Sequence, residues 1–252
     1  MPRIARINSQ SNFHHIMVQG INKEFIFKDE FYINNYLNII KKKLTDSNIN
    51  ILAYCIMNNH AHLLIYSEKN YYLSKFMQRV NTSYSHFYNY FNKRVGYVFR
   101  DRYLSQDILN QNQLYNCLKY IHNNPVKAKM VYQMSEYKYS SYREFFGKKR
   151  IINKESIKLL FGSSNDYIDL FNLIHNTFNE CDFIDLKDKE IQEYIFEFKK
   201  IYKVEMKDLY KERNLLQLFI NNARKQTDVK IIELAQILGI SKSTVSNYII
   251  KN

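Results

Sequence analysis

The run INILAYCIMNNHAHLLIY, residues 49–66, decides the reading of the chain around it. Ile49–Met57 and His60–Tyr66 are β-prone stretches, and Asn58-Asn59 between them is a turn-compatible pair, so the run predicts a β-hairpin. Successive side chains on a strand point to opposite faces, which places His60 and His62 together on one face and Ala61 and Leu63 on the other. Two imidazoles aimed at one point are a start on a metal site. Two histidines on a strand are equally well satisfied by ordinary hydrogen bonds, and the residues alone leave both readings open.

Phe13–Gln19 is another β-prone run, and between it and the hairpin Ile33, Leu37, Ile40 and Leu44 recur at the spacing of an amphipathic helix. Beyond the hairpin, Leu73, Met77, Val80, Tyr84, Phe87 and Phe91 line one side of a second helix, with Lys75, Arg79, Thr82 and His86 on another. Tyr97–Gln106 is expected to be a strand and Gln111–Asn123 a third helix, with Leu114, Cys117, Leu118 and Ile121 as its apolar stripe. This alternation predicts an α+β domain, an antiparallel sheet with helices on one face. His14 and His15 face opposite sides of the first strand, so at most one can join His60 and His62; structural roles are expected of both.

The 252 residues leave room for one to two domains. Lys and Arg outnumber Asp and Glu by 37 to 24, a formal +13 that points to a polyanionic partner. A composition 46% hydrophobic and 15% aromatic excludes a disordered tail, and 5 Gly with 2 Pro exclude a collagen or linker protein. The charge is uneven: residues 1–147 hold 19 Lys and Arg against 9 acids, and residues 148–252 hold 18 against 15, so the polyanion is expected to meet the first part. Lys148-Lys149-Arg150 follows Gly147, and Asp182, Asp185, Asp188 and Glu190 follow Glu180. These shifts predict a first domain over 1–147, a helical linker region over 148–205 and an all-α module over 206–252. Cys55, Cys117 and Cys181 contain no CxxC pair, which fits a reducing cytoplasm rather than a disulfide framework or zinc finger. No apolar run approaches the roughly 20 residues of a membrane span, and Met1-Pro2-Arg3-Ile4-Ala5-Arg6 lacks the apolar core of a signal peptide, so a cytoplasmic protein is expected.

Within the third helix, at about 100° per residue, Tyr120 falls roughly 110° from the centre of the apolar stripe and is not expected in the core. Asn124, four residues on, shares its side. Pro125 predicts a helix end there, with Asn124 as the N-cap of a new turn.

Four motifs now stand in order: Ala53-Tyr54-Cys55-Ile56-Met57-Asn58-Asn59-His60-Ala61-His62-Leu63-Leu64, Phe76-Met77-Gln78-Arg79-Val80-Asn81, Gly96-Tyr97-Val98-Phe99-Arg100-Asp101-Arg102-Tyr103 and Tyr120-Ile121-His122-Asn123-Asn124-Pro125-Val126-Lys127-Ala128. With the ending Tyr139-Ser140-Ser141-Tyr142, they resemble the REP-associated tyrosine transposases of the single-tyrosine HUH transposase superfamily over about residues 1–147. Asn58 stands where the motif usually has Pro, and Tyr97 where a His is often seen. The resemblance implies a ferredoxin-like domain that cuts and rejoins hairpin-bearing single-stranded DNA through a transient 5′-phosphotyrosine, with a divalent metal. It further implies His60, His62 and Asn124 as metal ligands and Tyr120 as the nucleophile.

The residue types suit that chemistry. A tyrosine hydroxyl, with a reference pKa near 10, is only about one-thousandth phenolate at neutral pH and needs help from a metal or base. Two imidazoles and an amide oxygen form a mixed shell compatible with Mg2+ or Mn2+. Lys75, Arg79, Arg94, Arg100, Arg102, Lys119, Lys127 and Lys129 surround the motifs as a phosphate-tracking surface would, and Tyr88, Tyr90 and Phe99 offer rings to unpaired bases, whereas Tyr84 and Phe91 are expected in the core. Residues 231–249 resemble a helix-turn-helix: Gly239 suits the first helix end, Ser241 the next cap, and Lys242, Ser243, Ser246 and Asn247 would face duplex DNA. The rival readings are a host-adopted protein that binds a hairpin or promoter without cutting, and a rolling-circle replication initiator. Either a monomer or a homodimer is compatible with the sequence.

Overall fold

The computed structural model describes residues 11–147, 149–163, 166–177, 186–204, 208–209, 212–227, 229 and 231–249; Met1–Arg6, Lys148, Glu180, Cys181, Asp182 and Asp185 lie outside them. Four strands, β1 (Phe13–Gln19), β2 (Ile49–Ile56), β3 (His60–Ser67) and β4 (Leu104–Asp107), form one antiparallel sheet in the order β2-β3-β1-β4. The expected hairpin is β2–β3, closed where the Met57 N–H donates to the His60 carbonyl at 2.8 Å. Its register pairs Cys55 with His62 and Ile56 with Ala61, so the histidines stay in line and the apolar residues alternate with them.

Three helices carry the remaining pattern. In α1 (Glu30–Leu44) the apolar repeat Ile33, Leu37 and Ile40 is buried, and the Asp29 carboxylate caps the helix by accepting from the Phe31 and Tyr32 N–H groups. α1 packs on α2 (Asn70–Phe91), where the rings of Phe27, Tyr36 and Tyr84 meet at centroid distances of 4.8–5.2 Å. Tyr84 and Tyr88 are buried there, whereas Phe91, expected in the core, is 52% exposed because it lies in the last turn of α2 beyond the sheet's cover.

The strand expected over Tyr97–Gln106 is observed only as Leu104–Asp107. Upstream, Gly96 takes φ +102 and the chain meets the end of β1 and the residues just after it through an isolated bridge, with Arg100 N–H donating to the Gln19 carbonyl and Ile21 N–H to the Val98 carbonyl, both at 2.9 Å. α3 (Gln111–Lys127) does not end at Pro125 as expected. Pro125 stands in the last turn, where it forgoes one intrahelical donor; the following bonds, Ala128 N–H to the Asn124 carbonyl and Met130 N–H to the Pro125 carbonyl, need nothing from its nitrogen. Burial of Ile121, His122 and Pro125 holds that turn helical against the local preference.

The chain divides into two compact units, Met1–Phe183 and Ile184–Asn252. The segment after Gly147, read above as a linker, is built into the first unit. The buried Glu144 carboxylate accepts the N–H groups of Arg150, Ile151 and Ile152 at 2.7–2.8 Å as well as the Tyr54 hydroxyl. α4 (Lys154–Phe161) follows, with Ser156 donating to the Ile51 carbonyl of β2 at 2.8 Å, and α5 (Tyr167–Thr177) buries Phe171, Ile174 and His175. The second unit is all-α: α6 (Leu186–Tyr202), α7 (Arg213–Gln226), α8 (Ile231–Leu238) and α9 (Lys242–Asn247) share a core that includes Phe198, Leu216, Phe219, Leu234 and Val245. Gly239, at φ +66, turns the chain between α8 and α9, and Ser241 caps α9 by accepting the Thr244 N–H at 3.1 Å. Among the described residues no helix is long and apolar enough to cross a membrane.

Candidate active site

β3 presents His60 and His62 on one face, as alternation requires, with their ring centroids 5.0 Å apart. His62 is fully buried and His60 half-buried, so the pair grades from interior to surface. His60 Nδ1 lies 2.6 Å from the side-chain oxygen of Asn59. An amide oxygen only accepts, so Nδ1 carries the proton and the lone pair of the neutral ring sits on Nε2.

β1 adds a third imidazole. His15 Nε2 lies 2.9 Å from His62 Nδ1, with the rings stacked at 5.1 Å. One of the two N-terminal histidines thus joins the pair, as the alternation of the strand allows. His14 alone is apart, on the other side of β1, where its Nδ1 lies 3.3 Å from Asp107. Burial pulls the His14 pKa below its ordinary value, against the opposing pull of Asp107. Nothing in the sequence indicated which of the two would join the cluster, because that depends on β1 pairing with β3 and on the register of that pairing.

α3 brings Tyr120 to the same place. Its ring stands edge-on to His62 at 5.5 Å and to His15 at 5.7 Å. Tyr120 is only 5% exposed, which corrects the expectation that it stands clear of the interior; the surface burying it is lined by imidazoles. One turn on, Asn124 Nδ2 donates to the Tyr120 carbonyl at 2.8 Å, and that use of its donor end turns Oδ1 the other way. Lys127, nearly in line with Tyr120 on the helix, holds its ammonium 5.0 Å from the centre of the Tyr120 ring.

Among the described residues no group of three His, Cys, Asp or Glu is arranged to hold a metal ion. The set inferred from sequence, His60, His62 and the Asn124 amide, contains only two such residues. Its donor atoms are of the required kind: the Asn59 contact leaves the His60 lone pair on Nε2, and the Asn124 contact leaves an amide oxygen.

The basic residues separate. Lys75, Arg100, Arg102 and Lys127 are exposed and Arg79 is half-buried, consistent with a surface that meets an anion. Arg94 is instead engaged by Glu24 at 2.6 Å, a pair that raises the Arg94 pKa through its hydrogen bond and lowers that of Glu24. Of the rings offered to bases, Tyr90 is 79% exposed, while Tyr88 and Phe99 are buried. In the second unit Lys242, Ser243, Ser246 and Asn247 are all exposed on α9.

Residues 8–124 match the family model described as transposase IS200 like. A solved structure described as the REP-associated tyrosine transposase bound to a REP hairpin is 17% identical, with a TM-score of 0.49 over 59% of this chain and 87% of that one. A second, described as a transposase from Deinococcus radiodurans R1, is 11% identical, with a TM-score of 0.34 over 52% of this chain and 91% of that one. No curated protein matches the chain.

Proposed function

Residues 8–124 make a transposase domain of the IS200-like family, and from that premise we propose that this protein cuts and rejoins single-stranded, hairpin-bearing DNA through a covalent bond to Tyr120. The observation that carries the reading is the meeting of Tyr120 with His62 and His15 at 5.5 and 5.7 Å, on the face that also holds His60. A tyrosine placed only to fill a core has no reason to be walled by imidazoles.

In the reaction, Tyr120 gives up its hydroxyl proton to water as Oη bonds to the scissile phosphorus, the bond from phosphorus to the 3′ oxygen breaks, and the departing 3′ oxygen takes up a proton from water. The phosphotyrosine keeps the phosphodiester linkage, so a 3′-hydroxyl reverses the step with no ATP. His60 through Nε2, His62 through its outward nitrogen and Asn124 through Oδ1 would hold a divalent cation such as Mg2+ or Mn2+. When bound, that ion supplies Lewis-acid polarisation of the phosphate and orients it. The Asn59 amide oxygen fixes the tautomer of His60, and the Lys127 ammonium over the Tyr120 ring offsets negative charge developing on the phenol oxygen. Lys75, Arg79, Arg100 and Arg102 would track the phosphates of the strand. α9, with Lys242, Ser243, Ser246 and Asn247, would add a duplex contact of the helix-turn-helix kind.

The test is a denaturing gel of labelled single-stranded DNA from the repeats flanking the gene, incubated with Mn2+. Wild type is expected to form a covalent adduct. Tyr120→Phe, which keeps the ring and removes one oxygen, is expected to form none, while Tyr115→Phe and Tyr132→Phe retain it. An adduct that survives Tyr120→Phe refutes the assignment; absence of any wild-type adduct favours a binding protein that does not cut.

A further inference from the structure

α5 lies beyond the matched family segment and is hydrogen-bonded to the helix that carries Tyr120. The Phe171 carbonyl can only accept, so His175 Nδ1, at 2.7 Å, carries a proton and donates to it. Burial disfavours a charge on either ring, which makes His175 Nε2 the acceptor for His122 Nδ1–H at 2.9 Å. His122 Nε2 in turn accepts the Ser141 hydroxyl at 2.8 Å, and Ser141 Oγ accepts the Tyr54 N–H of β2 at 2.9 Å. Each of these links has one donor and one acceptor, and the Ser141 hydroxyl takes the shorter contact to His122 over the Tyr54 carbonyl at 3.3 Å. The chain runs from α5 through α3 to the sheet, and His122 and Ser141 are wholly enclosed. The His122 and His175 rings also stack at 5.1 Å, and Phe171 stacks on His175 at 4.0 Å.

The position of His122 on α3 gives this chain its meaning. Two residues after Tyr120, it projects roughly 200° around the helix, on the far side from the histidine face. Tyr120, Asn124 and Lys127 fall within about 60° of one another, so a roll of α3 moves all three together. The directional hydrogen bond between His122 and His175 acts on that roll from the opposite side.

We propose that His175 is a positioning residue for Tyr120, fixing the roll of α3 through His122 so that the tyrosine meets the histidine face in register. The proposal rests on Tyr120 being the nucleophile, and gives residues 148–177 a role: Glu144 and Ser156 fasten the segment to the sheet, and α5 braces the catalytic helix.

The experiment uses the full-length protein with His175→Phe, which keeps an aromatic ring against Phe171 but offers His122 no acceptor, and His175→Gln, whose amide oxygen can replace Nε2. His175→Asn, too short to reach His122, replaces the Phe variant if that does not fold. Two readouts are taken: the single-turnover rate of adduct formation at saturating DNA, alongside DNA affinity, and the Tyr120 resonances in protein carrying 13C-labelled tyrosine, assigned with Tyr120→Phe. The expected result is a loss of about 100-fold in the single-turnover rate for His175→Phe, the scale of a small misplacement of a reacting group, with affinity unchanged. The Tyr120 resonances shift out of the ring currents of His15 and His62, and His175→Gln restores both readouts. A folded His175→Phe protein with wild-type rate and unmoved Tyr120 resonances overturns the proposal, as does an effect on affinity alone. If wild type forms no adduct, the nucleophile reading fails, and the resonances alone decide: a shift in His175→Phe supports positioning and no shift overturns it.

Discussion

His15 on β1 and His62 on β3, 47 positions apart, place Nε2 and Nδ1 within 2.9 Å of each other, and Tyr120 closes edge-on over both rings. If His62 meets a metal through Nε2, its Nδ1 must bear the proton and donate to His15. His15 is then the outer partner that selects the tautomer of His62, as the Asn59 oxygen does for His60.

His15→Phe keeps the stacked ring and removes the acceptor. It is expected to weaken Mn2+ binding by about 10-fold or more, measured by electron paramagnetic resonance of free Mn2+ during titration. Unchanged affinity in a folded variant removes His15 from the metal's outer shell.

His60→Ala with His62→Ala is expected to abolish cleavage at any Mn2+ concentration, whereas wild type stripped with EDTA regains it on addition of Mg2+ or Mn2+. Full cleavage by wild type in chelator rules out the metal role.

His175 gives a pH dependence with a definite sign. Burial lowers its pKa from 6.5 to about 4, so the folded protein binds fewer protons than the unfolded chain. The contribution is intact above about pH 6.5 and is lost as pH falls toward 4, a loss on the order of 2–3 kcal/mol by pH 4.5. Urea unfolding at pH 7.5 and 4.5 should show a smaller fall in stability for His175→Gln than for wild type. An equal fall in both places the acid sensitivity elsewhere.

Glu144→Ala leaves the N–H groups of Arg150, Ile151 and Ile152 without their carboxylate and the Tyr54 hydroxyl without its acceptor. A loss of about 3 kcal/mol is expected on urea unfolding, with faster hydrogen exchange at 150–152. A loss below about 1 kcal/mol means that water replaces the carboxylate and that the segment is not anchored there.

Lys242→Ala on α9 is expected to weaken duplex DNA binding by about threefold to tenfold and to reduce its salt slope, with covalent attachment to single-stranded DNA unaltered. Unchanged duplex affinity leaves α8 and α9 a packing role only.

Local rules made most of the first unit legible. Period-two alternation around Asn58-Asn59 yields the hairpin and the shared face of His60 and His62, and the apolar repeat at Ile33, Leu37 and Ile40 yields α1, because both depend only on neighbours in the chain. Tyr120 and Asn124 were legible as one side of a helix for the same reason. Tertiary structure decided the rest. Which of His14 and His15 reaches His62 depends on strand order and on the register of β1 against β3, and neither is encoded within a single strand. Pro125 stayed helical because burial of the last turn of α3 outweighs a local preference. The segment after Gly147 looked like a linker because its anchor, Glu144, is one carboxylate whose partners are backbone N–H groups. Every residue but proline carries such a group, so no side-chain pattern announces the contact, and only folding shows where it forms.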